Sequence, residues 1–150
     1  MITVEEAEYL IFANTQDFGT EEVSIHQALG RVLAEDLTAD RDLPPFDRAL
    51  VDGIAINFKN YQQDKIFSVK EIQAAGQQPI HVSDENECIE IMTGAAVSET
   101  LNTVVRYEDI SVKEGKVSIN VDVHEGQNIH KKGRDKIKGE ILVHENQVIT

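Results

Sequence analysis

Two aspartates stand five residues apart in the stretch Pro44-Pro45-Phe46-Asp47-Arg48-Ala49-Leu50-Val51-Asp52-Gly53. Pro44 and Pro45 remove two amide donors and hold the chain extended, so the stretch is a stiff loop rather than regular structure. A stiff loop presenting Asp47 and Asp52 can hold a hard cation such as Mg²⁺ or orient a donor on a substrate. The same residues also suit a plain turn, with Asp47 bonding backbone two residues on and Asp52 preceding Gly53. Spacing alone favours the turn. Gly53 lets another backbone come close.

A second constellation is Ile89-Glu90-Ile91-Met92-Thr93-Gly94-Ala95-Ala96, an alternating strand that runs into Thr-Gly. Such a strand end can offer the Thr93 hydroxyl and free amides to an oxyanion, or be an ordinary exit into a turn. The third lies in Gly126-Gln127-Asn128-Ile129 and the segment His130–Lys138, which holds five Lys/Arg and one acid. Lys131, Lys132 and Arg134 around Gly133 can clamp a phosphate, or simply stay solvated.

Other familiar chemistries are missing. No phosphate-binding G-x-x-x-x-G-K-[ST] loop, G-x-G-x-x-G, G-x-S-x-G or H-E-x-x-H occurs. The histidines at 26, 81, 124, 130 and 144 never fall at i, i+4 spacing, so a histidine metal site would have to be assembled by the fold. Cys88 is the lone cysteine, which excludes an internal disulfide and a multi-cysteine zinc site. It reads as a small apolar group in its strand.

These residues must be positioned by a chain of two textures. Thr3 and Glu6 stand at capping-box spacing, and Val4, Ala7, Leu10, Ile11 and Asn14 continue at helical spacing. Gly19 breaks that pattern, His26–Leu29 suits a helical turn closed by Gly30, and Arg31 to Ala39 permits helix or strand. Beyond the prolines, short β-rich runs alternate with turn signals: 51–58, 66–74, 88–93, 103–110, 117–123 and 140–143. The clearest hairpin is Ile110–Ile119, with alternation on both arms and Gly115 in the turn.

Composition narrows the class. The 150 residues carry 14 Lys+Arg against 27 Asp+Glu, a formal charge of −13 that argues against general nucleic-acid or anionic-membrane binding. Nothing approaches the roughly 20 apolar residues of a membrane span, and Met1–Glu5 does not open like a signal peptide, so a cytoplasmic setting is expected. Charge is uneven: residues 1–40 hold Arg31 against nine acids, opposite in sign to the 130–138 segment.

Taken together and in order, the segments resemble a known family. Leu43–Ala55 is similar to the P-P-F-D-x-S-x-M-D-G-Y-A segment of the MoeA family of molybdenum-cofactor enzymes, which includes the E domain of gephyrin. Ile91–Val97 with Thr103–Asp109 resembles its I-M-T-G-A-x-x-P-x-G-A-D-T-V-V-x-x-E-D, and Gly126–Asp135 with Gly139 its G-x-N-I-R-x-x-G-x-D…G. Upstream, Ala28–Asp36 matches the opening A-L-G-R-V-L-A-E-D.

The resemblance spans nearly the whole chain and corresponds to the family's N-terminal region, its first two domains. It implies a mainly β fold with an N-terminal helical part and coiled, bifurcated β-sheets in two lobes. One lobe is expected at 1–45, joined by part of 125–150, and a β-rich lobe at 46–145, with the family's C-terminal catalytic domains absent from this chain. The family inserts molybdenum from molybdate into adenylylated molybdopterin with release of AMP, and depends on Mg²⁺.

Carried over residue by residue, the resemblance implies cleft roles for Asp52, Thr93 and Asp135, with Asp52 as the metal-side carboxylate. Pro45, Phe46, Asp47, Gly53 and Gly94 are implied on the substrate side, and Lys131 and Lys132, at variable positions of the family pattern, are expected there from their charge. It also implies a homodimer and a molybdopterin adenylyltransferase-type pathway partner.

The chain departs from the pattern at named places. Ala49 stands for Ser, Val51 for Met, Ser98-Glu99-Thr100-Leu101-Asn102 for P-E-G-A-D, and His130 for the common Arg. An Arg-to-His change gives up a fixed bidentate donor. Besides a part of a molybdenumtransferase, expected inactive by itself, two other functions are therefore in view. One is a non-catalytic scaffold or dimerisation module of the same fold; the other is a Mg²⁺-dependent phosphohydrolase using Asp47 and Asp52.

Overall fold

The computed structural model describes residues 2–63 and 66–150. By its internal contacts the chain forms two units, residues 1–37 with 143–150, and residues 38–142. Residues 38–45, expected with the helical lobe, thus fall in the larger unit, where Leu43 bridges to Lys136. The last eight residues join the first unit.

In the smaller unit, helix α1 (Val4–Ala13) starts as the sequence requires. The Thr3 hydroxyl accepts from the Glu6 amide at 3.2 Å, and the Glu6 carboxylate accepts from the Thr3 amide at 2.9 Å. No residue of α1 is buried. A single 3-10 turn at Ile25–Gln27 follows, and Gly30 takes the left-handed conformation at φ +77°. Residues 31–33 then bond residues 146–149 across an isolated antiparallel bridge, Val32 to Val148. The ambiguous stretch 31–39 is therefore neither helix nor long strand: besides the Val32 bridge it holds the two-residue strand Leu37–Thr38, here β1.

The larger unit is built on one curled sheet. Its strands are β3 (Gly53–Ile56), β4 (Ile66–Gln73), β5 (Glu87–Ile91), β6 (Thr103–Arg106), β7 (Ile110–Lys113) and β8 (Lys116–Ile119). A two-residue strand β2 (Arg48–Ala49) precedes β3, and helix α2 (Phe58–Gln63) follows it. Strands β9 (Ile129–His130) and β10 (Ile141–Val143) pair with β2 and β1 respectively. The strand order is β6-β3-β5-β4-β8-β7.

That order forces curvature. Edge strands of a flat six-stranded sheet would lie about 24 Å apart at the usual strand spacing. Yet β6 connects to β7 through only Tyr107–Asp109, which can span at most about 14 Å. The sheet must therefore roll its edges together.

The β7–β8 hairpin matches the sequence pattern, with Ile110 opposite Ile119 and Lys113 opposite Lys116. Glu114 and Gly115 both take positive φ, 53° and 76°, the twist that a two-residue hairpin prefers. The β4–β5 pair is parallel, which requires a long crossover. Residues 74–86 provide it without a helix. The fully buried Gln73 shapes its start, its Oε1 accepting from the Ile80 amide at 2.7 Å.

Alternation sends side chains to two clusters, one on each face of the sheet. Ala55, Ile89, Ile91 and Val104 join Ala49 and Ile129 on one face. On the other, Ile54, Phe67, Cys88, Val105 and Val117 pack with Tyr61 of α2. Cys88 is buried in its strand as expected, and burial pushes its thiol up to about 12, so it is inert at neutral pH.

Candidate functional site

Three of the four resembling segments meet at Ala49. On one edge, the Ala49 amide donates to the Ala95 carbonyl at 3.0 Å and the Gly94 amide to the Ala49 carbonyl at 2.9 Å. On the other edge, β2 pairs with β9, Arg48 opposite His130 and Ala49 opposite Ile129, and the Leu50 amide reaches the Asn128 carbonyl. Residues 47–50 thus form the middle of a three-segment ribbon. Ala49 itself is 1% exposed within the first cluster, and Val51 packs against the same cluster. Those two departures from the family pattern fall on packing, not on an exposed polar contact.

Asp52 and Thr93 are brought together at the end of this ribbon. Oδ1 of Asp52 accepts from the Thr93 amide at 2.6 Å and from the Thr93 hydroxyl at 2.7 Å. The oxyanion served by the Thr-Gly strand end is therefore the chain's own aspartate. These two bonds, the hydroxyl first, hold the Asp52 carboxyl below the usual aspartate range. Both residues are exposed, and both of these bonds fall on Oδ1 of Asp52.

Gly53 does let a backbone approach, and that backbone is strand β6. A Cβ at this position would lie 1.9 Å from the Val105 carbonyl oxygen. Gly94 turns the chain after Thr93 at φ +83°.

Asp47 is held from the basic segment. Its Oδ2 accepts from Lys131 Nζ at 2.7 Å and its Oδ1 from the Lys132 amide at 2.8 Å. Partial burial raises its pKa, but Lys131 and the Lys132 amide outweigh this and leave it lowered. Both oxygens of Asp47 are thus engaged by the basic segment, while Asp52 is engaged by Thr93. Among the described residues, no three His, Cys, Asp or Glu side chains gather as a metal cage.

Mg²⁺ usually keeps several waters and takes one or two carboxylates plus substrate phosphates. The lone Asp52 carboxylate, with both Thr93 bonds on a single oxygen, fits that mode and not an all-protein cage.

Beside Asp47, Pro45 and Lys132 line an open cavity of about 270 Å³ with Asp40, Arg41, Asp42 and Lys138. Lys132 Nζ stands 3.5 Å from Asp42, and the Lys138 amide donates to Asp42 at 2.9 Å. Phe46 is 45% exposed, an aromatic surface next to this cavity-lining proline. Asp135 pairs with His130, Nε2 to Oδ1 at 2.8 Å, so the replacement for the family arginine still contacts the predicted carboxylate.

Two side chains near Asp52 carried no signal in the sequence. Tyr107 and Glu90 hydrogen-bond to each other, and the Tyr107 amide donates to the Asp52 carbonyl at 3.2 Å. A strand-to-turn boundary and an isolated acid in a strand give no local pattern that would have singled them out.

Comparison with known proteins places this geometry. Residues 2–150 match the family model described as MoeA N-terminal region (domain I and II). A molybdopterin molybdenumtransferase from Synechocystis sp. is 34% identical over 146 residues, covering 95% of this chain and 37% of that protein. One from Staphylococcus aureus is 30% identical over 99% of this chain and 36% of its own length. The crystal structure of a molybdopterin biosynthesis MoeA protein from Pyrococcus horikoshii superposes with a TM-score of 0.88 at 32% identity, covering 97% of this chain and 40% of that one.

The chain thus spans little more than a third of the relatives it matches. The expected mainly β fold with its short N-terminal helix is the fold observed. No helix among the described residues is long and apolar enough to cross a membrane. The chain belongs to the MoeA family and corresponds to its N-terminal region, domains I and II.

Proposed function

We propose that this chain forms one wall of the active cleft of a molybdopterin molybdenumtransferase, which inserts molybdenum from molybdate into adenylylated molybdopterin and releases AMP. The observation that carries this reading is the ribbon around Ala49. It draws segments far apart in sequence together and leaves Asp52 exposed, with both Thr93 bonds on a single carboxylate oxygen.

In this reading Asp52 would hold a substrate-borne Mg²⁺, and Thr93 fixes the carboxylate's orientation by two donated bonds. The cation would supply charge neutralisation at the anhydride phosphates when bound. The cavity beside Pro45 carries Arg41, Lys132 and Lys138 against Asp40 and Asp42, a small positive excess that favours approach of an anionic substrate. Asp135, steadied by His130, completes the carboxylate set. Assembly as a homodimer, a molybdopterin adenylyltransferase as pathway partner and a cytoplasmic setting belong to the same proposal.

The test is reconstitution. The chain is supplied with the remaining domains of a MoeA relative, fused or in trans, and molybdenum insertion is followed with AMP release. Turnover supports the proposal. An inert assembly, when the intact relative works in the same assay, overturns it in favour of a non-catalytic scaffold. In the active assembly Asp52→Ala should abolish turnover while leaving the thermal midpoint nearly unchanged, because the side chain is exposed. A large loss of stability instead would make Asp52 a turn former.

A further inference from the structure

Tyr107 begins the short turn after β6 and faces the start of β3. The register sets Gly53 opposite Arg106 on one side and opposite Ile91 on the other, with Ile54 opposite Glu90. One step further out, the Tyr107 amide bonds the Asp52 carbonyl. The Tyr107 hydroxyl then passes over β3 and donates to Oε1 of Glu90 on β5.

Face alternation agrees with this path. Val105, Ile54 and Cys88 all pack in the second cluster; Glu90 lies two residues after Cys88 in β5, Tyr107 two after Val105 just past β6, and Asp52 two before Ile54 just ahead of β3. One side chain therefore straps the end of β6 to β5 across β3, whose first residue follows Asp52. Burial above all, then the Glu90 bond and the charges of Glu90 and Asp52, raise the phenol's pKa, so the hydroxyl keeps its proton to donate.

The strap lies where it matters for Asp52. Oδ1 collects both Thr93 donors only while the start of β3, just after Asp52, and the end of β5, just before Thr93, stay at one fixed separation. Strand ends fray first, and β3 has only four residues to resist. Gly53 adds no side chain at this point, and its contact with β6 is backbone to backbone.

We propose that Tyr107 and Glu90 are positioning residues for Asp52: their hydrogen bond across β3 clamps the strand ends that align Asp52 with Thr93. Its value for catalysis rests on the cleft role proposed for Asp52. The clamp itself does not, and it is tested without turnover.

Amide hydrogen exchange is measured residue by residue on the chain. In Tyr107→Phe, which removes only the hydroxyl, the Thr93 and Tyr107 amides should exchange about tenfold faster, with Ile89 and Val104 unchanged. Glu90→Ala should do the same, whereas Glu90→Gln keeps Oε1 as an acceptor and should stay within about threefold of the parent.

Unchanged Thr93 exchange in both Tyr107→Phe and Glu90→Ala overturns the clamp. So does faster exchange spread evenly over the sheet, which would mark a merely structural bond. Should Tyr107→Phe fail to fold, Glu90→Ala against Glu90→Gln decides alone. Loss of the clamp with an active reconstituted enzyme, or the reverse, separates this inference from the proposed function.

Discussion

Helix α1 exposes Val4, Tyr9, Leu10, Ile11 and Phe12, while strands β3, β5 and β6 bury Ile54, Ile89 and Val104 to 1% or less. Both regions show good apolar periodicity, one at helical spacing and one at strand spacing. Periodicity thus tells which side chains share a face, and says nothing of whether that face is covered. The sheet unit closes both of its faces with its own residues. The helix stands on local bonds, chiefly the reciprocal Thr3–Glu6 cap.

The sharpest way to break this contrast is in the core. Ile89→Ala should cost about 2–5 kcal/mol, read from urea unfolding, because it opens a cavity among fully packed neighbours. A cost below about 1 kcal/mol would mean the first cluster is loosely packed.

A smaller loss is expected at the ribbon. Asp47→Ala removes acceptors for Lys131 and the Lys132 amide and should cost about 1–3 kcal/mol. Its pH signature follows from a carboxyl lowered in the folded state. The contribution is complete above the ordinary aspartate range near pH 4 and is lost as pH falls through the lowered value. The urea midpoint of Asp47→Asn should accordingly fall less steeply on the acid side than that of the parent.

The smallest effect belongs to the helix. Phe12→Ala should change global stability by no more than about 0.5 kcal/mol, since the ring is 73% exposed. A loss comparable to Ile89→Ala would abolish the distinction between the two regions.

Much of this was legible in the sequence, and for definite reasons. The cap, the six β runs and the 110–119 hairpin announce themselves through contacts within a few residues. Helix α2 did not, because Phe58-Lys59-Asn60-Tyr61-Gln62-Gln63 is too short to show a period; Tyr61 in the second cluster secures it. Strands β2 and β9 did not either. Two residues carry no alternation, and their partners lie 80 positions away, as Ala49 does from Ile129.

The site divides along the same line. Asp52 and Thr93 stood out by motif, but their mutual bond is a product of the fold. The lysines looked like an anion clamp, and Lys131 does clamp an anion, the Asp47 carboxylate. Tyr107 and Glu90 lie in quoted segments but showed no link, because the bond that joins them crosses β3 between two strands distant in sequence.

The doubly bonded position of Ala49 also sets where this chain can change length. Residues inserted in the 74–86 crossover lengthen an excursion and leave the ribbon's partners in place. One residue inserted between Asp47 and Asp52 would shift the register against Gly94–Val97 and against Asn128–His130 together. It would also turn the Ala49 side chain out of the core. Drift in length is therefore tolerated in the crossover and nearly forbidden between Asp47 and Asp52.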